Sequence, residues 1–365
     1  MTDASTSTTA LADPDGPHGP GPDGPAAAGP SARGPRARNA TAYLRYVAGK
    51  LLGAAVSLFA VLVTSFFLFR IIPGDPVRTI THGRAVSDEQ LQALRRQFGI
   101  DKPLWEQFTQ YCGQALQGDF GNSYQLHDPV GELIWDRLPA TLLLTGTAFV
   151  LYSLIGVWLG TRSAWRSGRI GDRFNTGLSL TLYSVPSFWL GLMLINVFAV
   201  GVGFIPGVFP TGLMESGDGS TGLAHALDVA HHMVLPVLTL VAVGYAQTLL
   251  VMRSSLLDEM GSDYLTTARA KGLRDALVRR RHAVPNALLP TVTLMFVNLG
   301  HVVAGQILVE TVFSWPGLGG LFYEALSIPD LPLLQGLFFV FAAGVILMNT
   351  LADLIYPLLD PRVGR

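Results

Sequence analysis

The chain is short of charge and almost without cysteine. Only 14% of its 365 residues are Asp, Glu, Lys or Arg, the formal net charge is −1, 49% of residues are hydrophobic, and the mean hydropathy is +0.39. So little charge beside so much apolar surface excludes an ordinary water-soluble domain of this length, and a net charge near zero offers no bulk attraction to nucleic acid. Cys112 stands alone, so no internal disulfide can form and no second thiol can help hold a metal. No G-x-x-x-x-G-K-[ST] phosphate loop occurs, since Lys50 follows Gly49 but precedes Leu51; nucleotide energy would have to come from a partner. Strict apolar/polar alternation is missing, which argues against a membrane barrel. A nucleophile–base pairing or metal cluster that would mark a membrane-bound enzyme is missing too.

What is present is apolar length. A hydrocarbon core of roughly 30 Å takes about 20 residues of helix, and six runs meet that need, near 49–69, 139–160, 177–200, 233–253, 287–309 and 334–357. Each is expected to be helical, because lipid satisfies no backbone group, giving an all-α polytopic membrane protein. Residues 1–40 are rich in Pro and Gly and read as a disordered tail. The first apolar run is too long and too far in for a cleaved signal peptide and should stay as an anchor over 41–70.

Orientation is read from Lys and Arg near the spans. Loop 161–174 carries Arg162, Arg166, Arg169 and Arg173, and the tails carry Arg36, Arg38, Arg45, Arg362 and Arg365. Loops 204–232 and 310–332 carry no Lys or Arg. Both termini, loop 161–174 and the loop 254–286 are therefore expected on the cytoplasmic side, with 358–365 as a short tail there. The segment 71–132 is expected outside, with an amphipathic helix in "DKPLWEQFTQYCGQALQ" that places Leu104, Phe108, Tyr111, Cys112 and Leu116 near one face.

The loop 254–286 is the most basic part of the chain, with Arg269, Lys271, Arg274, Arg279, Arg280 and Arg281 within "LTTARAKGLRDALVRRRHAVPNALLP". Arg279, Arg280 and Arg281 by themselves read as anchors beside anionic headgroups. The surrounding pattern is more specific: "DYLTTARAKG" is a stub helix closed by Gly272, suited to the left-handed turn at a helix end, and Asp275 falls in the first turn of the next helix. The result is a knuckle beneath the bilayer.

On these residues the chain resembles the inner-membrane permease subunits of ATP-binding-cassette importers, in the dipeptide/oligopeptide/nickel branch. The importer signature falls on Thr266, Thr267, Ala268, Gly272, His282, Val284 and Pro285, without its leading Glu, while the branch word "TARAKGL" is intact at 267–273. The resemblance extends through "IIPGDPV", "FGIDKPLWEQF", "GDFGNSY", "LPATLLLT", "SVPSFWLGLMLI", "VETVFSWPGLGGL" and "YPLLDPR", from about residue 43 onward.

It implies the type-1 importer permease fold, with the transmembrane domain proper over 133–357. It implies a coupling helix at the knuckle, docked in a groove of a separate ATPase subunit. Tyr264 and Leu265 would plug apolar hollows, Ala268 and Ala270 would allow close approach, Thr267 belongs to the same motif, Arg269 and Lys271 would meet acids, and Gly272 would turn the chain. The implied partners are a second homologous permease, two ATP-binding subunits that use ATP and Mg, an extracytoplasmic solute-binding protein and the bilayer of a prokaryotic cell membrane; nucleic acid is not among them. No cofactor and no metal is expected on this chain. Peptides are the first expectation for cargo, with nickel or another solute as the alternative and a self-contained carrier or channel as the reading from another class.

Pathway candidates are fewer. Pro186, Pro236 and Pro290 fall in or near spans, where they either bend helices for gating or serve architecture alone. Phe188 follows Pro186. Asp353 lies in the last span and Glu310, like Arg70, near a span end; an intramembrane acid is a functional candidate, though Asp353 equally reads as a polar link between helices. "GVWLG" at 156–160 is a small-xxx-small match that could seat another helix. His225, His231, His232 and His301 are spaced unlike a metal site, and "WPGLGG" has no strand before it to make a phosphate loop.

Overall fold

The computed structural model describes residues 40–71, 102–203 and 205–359. The expected tail over 1–40 lies outside the described residues apart from Ala40, as do most of the outer segment before Lys102 and the C-terminal tail beyond Leu359. The fold proper lies in the compact unit Tyr46–Arg365.

In chain order the helices are α1 (Ala40–Ile71), α2 (Leu104–Leu116), α3 (Val130–Trp165), α4 (Ile170–Tyr183), α5 (Ser187–Leu194, continued by a π-helical turn Ile195–Val200) and α6 (Leu223–Met260). They continue with α7 (Asp263–Ala270), α8 (Asp275–Val278, running through a π-helical stretch Arg279–Ala283), α9 (Val284–Ala304), α10 (Ile307–Val312), α11 (Leu318–Ser327) and α12 (Leu331–Leu359). The one sheet among the described residues is a hairpin of β1 (Gly201–Val202) and β2 (Ile205–Pro206), Gly201 opposite Pro206. Five helices are long and apolar enough to cross a membrane, and a sixth span arises if α4 and α5 count as one broken crossing.

That break falls at Pro186, inside the run 177–200 that was expected to bend there. α4 begins at Ile170, ahead of that run, and meets α5 at 101°. The cause is local: Pro186 sits at the N-cap of α5 with ψ 132, it has no N–H to continue α4, and its ring disfavours helical backbone at Val185. The loop before it is correspondingly shorter than 161–174, because α3 runs to Trp165.

The interior is organised around α3 and α6. Their lengths of 36 and 38 residues correspond to over 50 Å at about 1.5 Å per residue, well beyond a hydrocarbon core of roughly 30 Å. Both therefore project past the membrane. They approach closely where the small-residue motif falls: a Cβ on Gly156 would lie 2.5 Å from Thr248 Cβ, and one on Gly160 2.7 Å from the Leu249 carbonyl oxygen. Without side chains at these positions the backbones pack directly, which in a bilayer supplies the van der Waals contact that apolar exclusion from water cannot.

The amphipathic helix forms as α2, but its packed face is shifted. Phe108 and Tyr111 pack edge-on and tilted against Phe66, with centroids 5.3 and 5.9 Å away, and Gln107 and Ala115 are buried. Leu104 and Leu116 point out, at 60% and 81% exposure. At a 100° period Leu116 stands at the edge of the stripe, while Leu104 falls on it but is the first residue of the helix; Ala115 is small enough to sit against the neighbour. Beyond α2, Ser123 donates to Asp330 Oδ2 at 2.6 Å. This joins "GDFGNSY" to the start of α12, over an apolar layer of Val130, Ile134, Leu318, Leu321, Leu333 and Leu337.

Candidate functional site

The knuckle is α7, the turn at Gly272, and α8. Gly272 has φ +81, the left-handed turn that Gly makes at least cost, and its N–H reaches the Arg269 carbonyl at 2.9 Å. The two faces of α7 then separate. Leu265 is fully buried and Ala268 is 7% exposed; with Met252, Leu256, Val278, Ala283, Ala287 and Ala164 they form a dry cluster. Inward-facing, these two side chains offer a partner subunit little surface, unlike their expected role, and lock the knuckle to the ends of α3, α6 and α9. The other face leaves Tyr264, Thr267, Arg269, Ala270, Lys271 and Gly272 exposed.

Polar contacts brace the knuckle from its sides. The Tyr264 hydroxyl donates to Glu259 Oε2 at 2.6 Å and accepts from Asn286 Nδ2 at 2.9 Å; burial and the Glu259 carboxylate raise its phenol above the ordinary value. Trp165 Nε1 donates to Asp275 Oδ2 at 2.7 Å. The guanidinium groups of Arg269 and Arg279 each lie 5.9 Å from the Trp165 ring centroid, within cation–π range, and Arg269 stands 3.8 Å from Asp275. Arg269 thus has an acid of its own chain within reach, whereas Lys271 is exposed and makes no ion pair with a described residue.

One level up, Arg253 of α6 grips Asp172 of α4 through two parallel donors, Nε to Oδ1 at 2.7 Å and Nη2 to Oδ2 at 2.9 Å. The Asp172 carboxylate is 3% exposed and also accepts from the Gly168 N–H at 2.9 Å. This clamp was not singled out from the sequence. Residues 81 positions apart in different helices carry no local signal of pairing, and the one trace is an acid amid the arginines of "RSGRIGDR".

Farther along α6 the packing opens into a cavity of ≈ 230 Å³. Thr145, Phe149 and Tyr152 of α3, Tyr183 and Ser187 beside the break, Leu240, Gly244 and Gln247 of α6, and Asn298 and His301 of α9 line it. None of its described lining residues is Asp, Glu, Lys or Arg. Gln247 Oε1 accepts from Asn298 Nδ2 at 3.4 Å. Pro186 adjoins the lining through Ser187, while Phe188 is outside it and 40% exposed. Gln247 and Asn298 were missed; an uncharged amide in each of two apolar spans was the available signal.

The acids do not line the cavity. Glu310 is fully buried and fixes the chain after α9, accepting from the N–H groups of Gly319 at 2.8 Å and Gln306 at 3.3 Å and from the Thr141 hydroxyl at 3.2 Å. Burial raises its pKa, and the amide donors oppose that rise without cancelling it. Beside it Trp315 Nε1 donates to the Ala140 carbonyl at 2.9 Å, so this stretch is fixed to α3. Asp353 accepts from Lys50 Nζ at 2.7 Å, and its carbonyl accepts from the Tyr46 hydroxyl at 2.8 Å; it joins α1 to α12. The histidines are dispersed: His225 faces Glu215 at 3.2 Å, His231 the Val208 carbonyl, His232 the Asp228 carbonyl, and His301 the cavity.

Comparison with known proteins agrees with this architecture. Residues 153–365 match the model of the binding-protein-dependent transport system inner membrane component, and residues 43–145 match that of its N-terminal region. The dipeptide transport system permease protein of Escherichia coli (strain K12) is 36% identical over 327 residues, covering 86% of this chain and 96% of the relative. The glutathione transport system permease proteins of Escherichia coli (strain K12) and Shigella dysenteriae serotype 1 (strain Sd197) are each 36% identical over 321 residues, covering 88% of this chain and 99% of theirs. The chain is a multi-pass membrane protein and belongs to the binding-protein-dependent transport system inner membrane components, in the dipeptide/oligopeptide branch of the importer permeases.

Proposed function

We propose that this chain forms half of the translocation pathway of a peptide importer and converts nucleotide-driven motion of separate ATPase subunits into opening of the cavity. The carrying observation is the continuity of α6. The helix lines the cavity at Leu240–Gln247, takes part in the clamp at Arg253, and enters the dry knuckle cluster at Met252 and Leu256. A push on the exposed face of α7 passes through the dry cluster into α6, which is helical from Leu223 to Met260. The clamp carries the same push to α4, whose far end is the 101° break.

In this reading the knuckle and both termini are cytoplasmic, in the cell membrane of a prokaryote, as the clustering of Lys and Arg supports. Two ATP-binding subunits supply ATP and Mg chemistry, and the chain itself is no ATPase. A second, homologous permease completes the pathway, and an extracytoplasmic solute-binding protein delivers the cargo. Peptides are favoured by the dipeptide and glutathione relatives and by a lining of amide, hydroxyl and imidazole groups, which can exchange hydrogen bonds with a peptide backbone without trapping its charged ends.

The test is reconstitution of the full importer with Ala270→Arg, which alters only the exposed face. Loss of ATPase co-purification and of dipeptide uptake, with the permease still folded, is the expected result. Retention of both at wild-type levels would reject the knuckle as the docking element.

A further inference from the structure

Between α3 and α9 lies an open groove of ≈ 670 Å³. Its walls are apolar, with Leu154 and Leu288 among them, and one end is closed by Arg162, Arg279 and Arg280. No Asp or Glu lines it. Arg279 lies over Trp165, but Arg162 and Arg280 make no ion pair or hydrogen bond with any described residue. Part-way along, Ser153 lines the groove with a buried hydroxyl that has no partner in the protein. An apolar channel with cations at one end matches one kind of molecule in shape and charge.

We propose that the groove is a discrete site for a phospholipid of net negative charge, its phosphate held by Arg162 and Arg280 and an acyl chain laid along Leu154 and Leu288. The inference rests on the orientation given above, which puts the arginines at the cytoplasmic leaflet, where anionic lipids collect and where basic pockets between spans hold their headgroups. Guanidinium forks suit a phosphate better than they suit water alone. A second permease subunit is the other occupant to weigh. A homologous subunit would bring its own basic rim to the same level, setting like charges together over cations that have no acid to meet.

The site assigns a task to arginines that serve neither the knuckle's dry cluster nor the clamp. A lipid seated there would join α9, which leaves the knuckle, to α3, so the lipid composition of the membrane would bear on the spacing of the helices that line the cavity.

The test uses the assembled importer, purified in detergent and mixed with phosphatidylglycerol or phosphatidylcholine, with bound lipid counted by native mass spectrometry. Wild type is expected to retain phosphatidylglycerol in preference to phosphatidylcholine. R162Q/R280Q is expected to lower that retention by about tenfold or more, from the loss of two cations, and R162K/R280K to keep most of it. Equal retention of the two lipids by wild type, or full retention by R162Q/R280Q, would overturn the site. So would a cross-link from a cysteine at Leu154 to the second permease in the intact complex, which would make the groove a subunit interface. ATPase co-purification is measured on the same samples, so a failure of lipid binding with docking intact counts against the lipid site alone, and a failure of docking in wild type counts against the function.

Discussion

The two halves of α6 are built on opposite plans. From Leu249 to Leu256 the helix is sealed: Leu249, Met252 and Leu256 are all fully buried, and the Asp172–Arg253 clamp closes the polar side. From Leu240 to Gln247 the same helix borders a cavity with amides and aromatic rings on its walls. The sealed half can carry a displacement because a close-packed interior does not compress. The open half can respond toward the space it borders, although Leu240, Val241, Tyr245 and Ala246 stay buried on its other sides. One continuous helix thus combines a rigid handle with a yielding end.

Substitutions that break the sealed half should have the largest effects. Asp172→Ala leaves Arg253 without its partner in a largely buried place, and a loss of about 3 kcal/mol is expected, seen as a large drop in the thermal unfolding temperature in detergent. Arg253→Met on that background should recover part of the loss by removing the orphaned cation. Next is Glu310→Gln, which turns an amide donor toward the N–H of either Gly319 or Gln306, since each donates to a different carboxylate oxygen; a cost of about 2 kcal/mol is expected on the same assay. The burial-driven rise in the Glu310 pKa gives the pH sign. The native state holds this proton above the ordinary glutamate value of 4.5, so wild-type stability should fall as pH rises from there through the raised value. Glu310→Gln should remove that slope, and an unchanged slope would assign it to another group.

Ala268→Leu sharpens the division within the knuckle. It overpacks the dry cluster and should cost about 1–3 kcal/mol, whereas Ala270→Arg, two residues on, should change stability by less than about 0.5 kcal/mol and act on docking. If the two exchanged phenotypes, the faces of α7 would be misassigned. The smallest effect belongs to Arg269→Ala. Its pair with Asp275 is exposed and long, and the Trp165 contact lies at the surface, so less than about 1 kcal/mol should be lost.

The sequence was most legible where the signal is local. Apolar run length located the spans, and Gly272 marked the turn because a left-handed residue at a helix end has few other solutions. Pro186 marked a bend but not its size, since hydropathy does not register a missing N–H and gave no sign of a 101° break. Leu265 and Ala268 were read as contact residues because their motif docks as a unit. On an eight-residue helix lying against its own protein, the two apolar positions three apart turn inward instead. The clamp, the cavity amides and the Glu310 hub stayed out of reach, since each joins residues far apart in the chain.

The most direct test of the account is a pair of spin-label distances in the assembled importer, with and without trapped ATP. One pair, Thr267 with Gln247, spans the sealed half; the other, Gln247 with Ser187, spans the cavity. The account predicts that the first distance holds while the second changes. A first distance that shifts with nucleotide while the second stays fixed would show that the knuckle swings free of α6, and would contradict it.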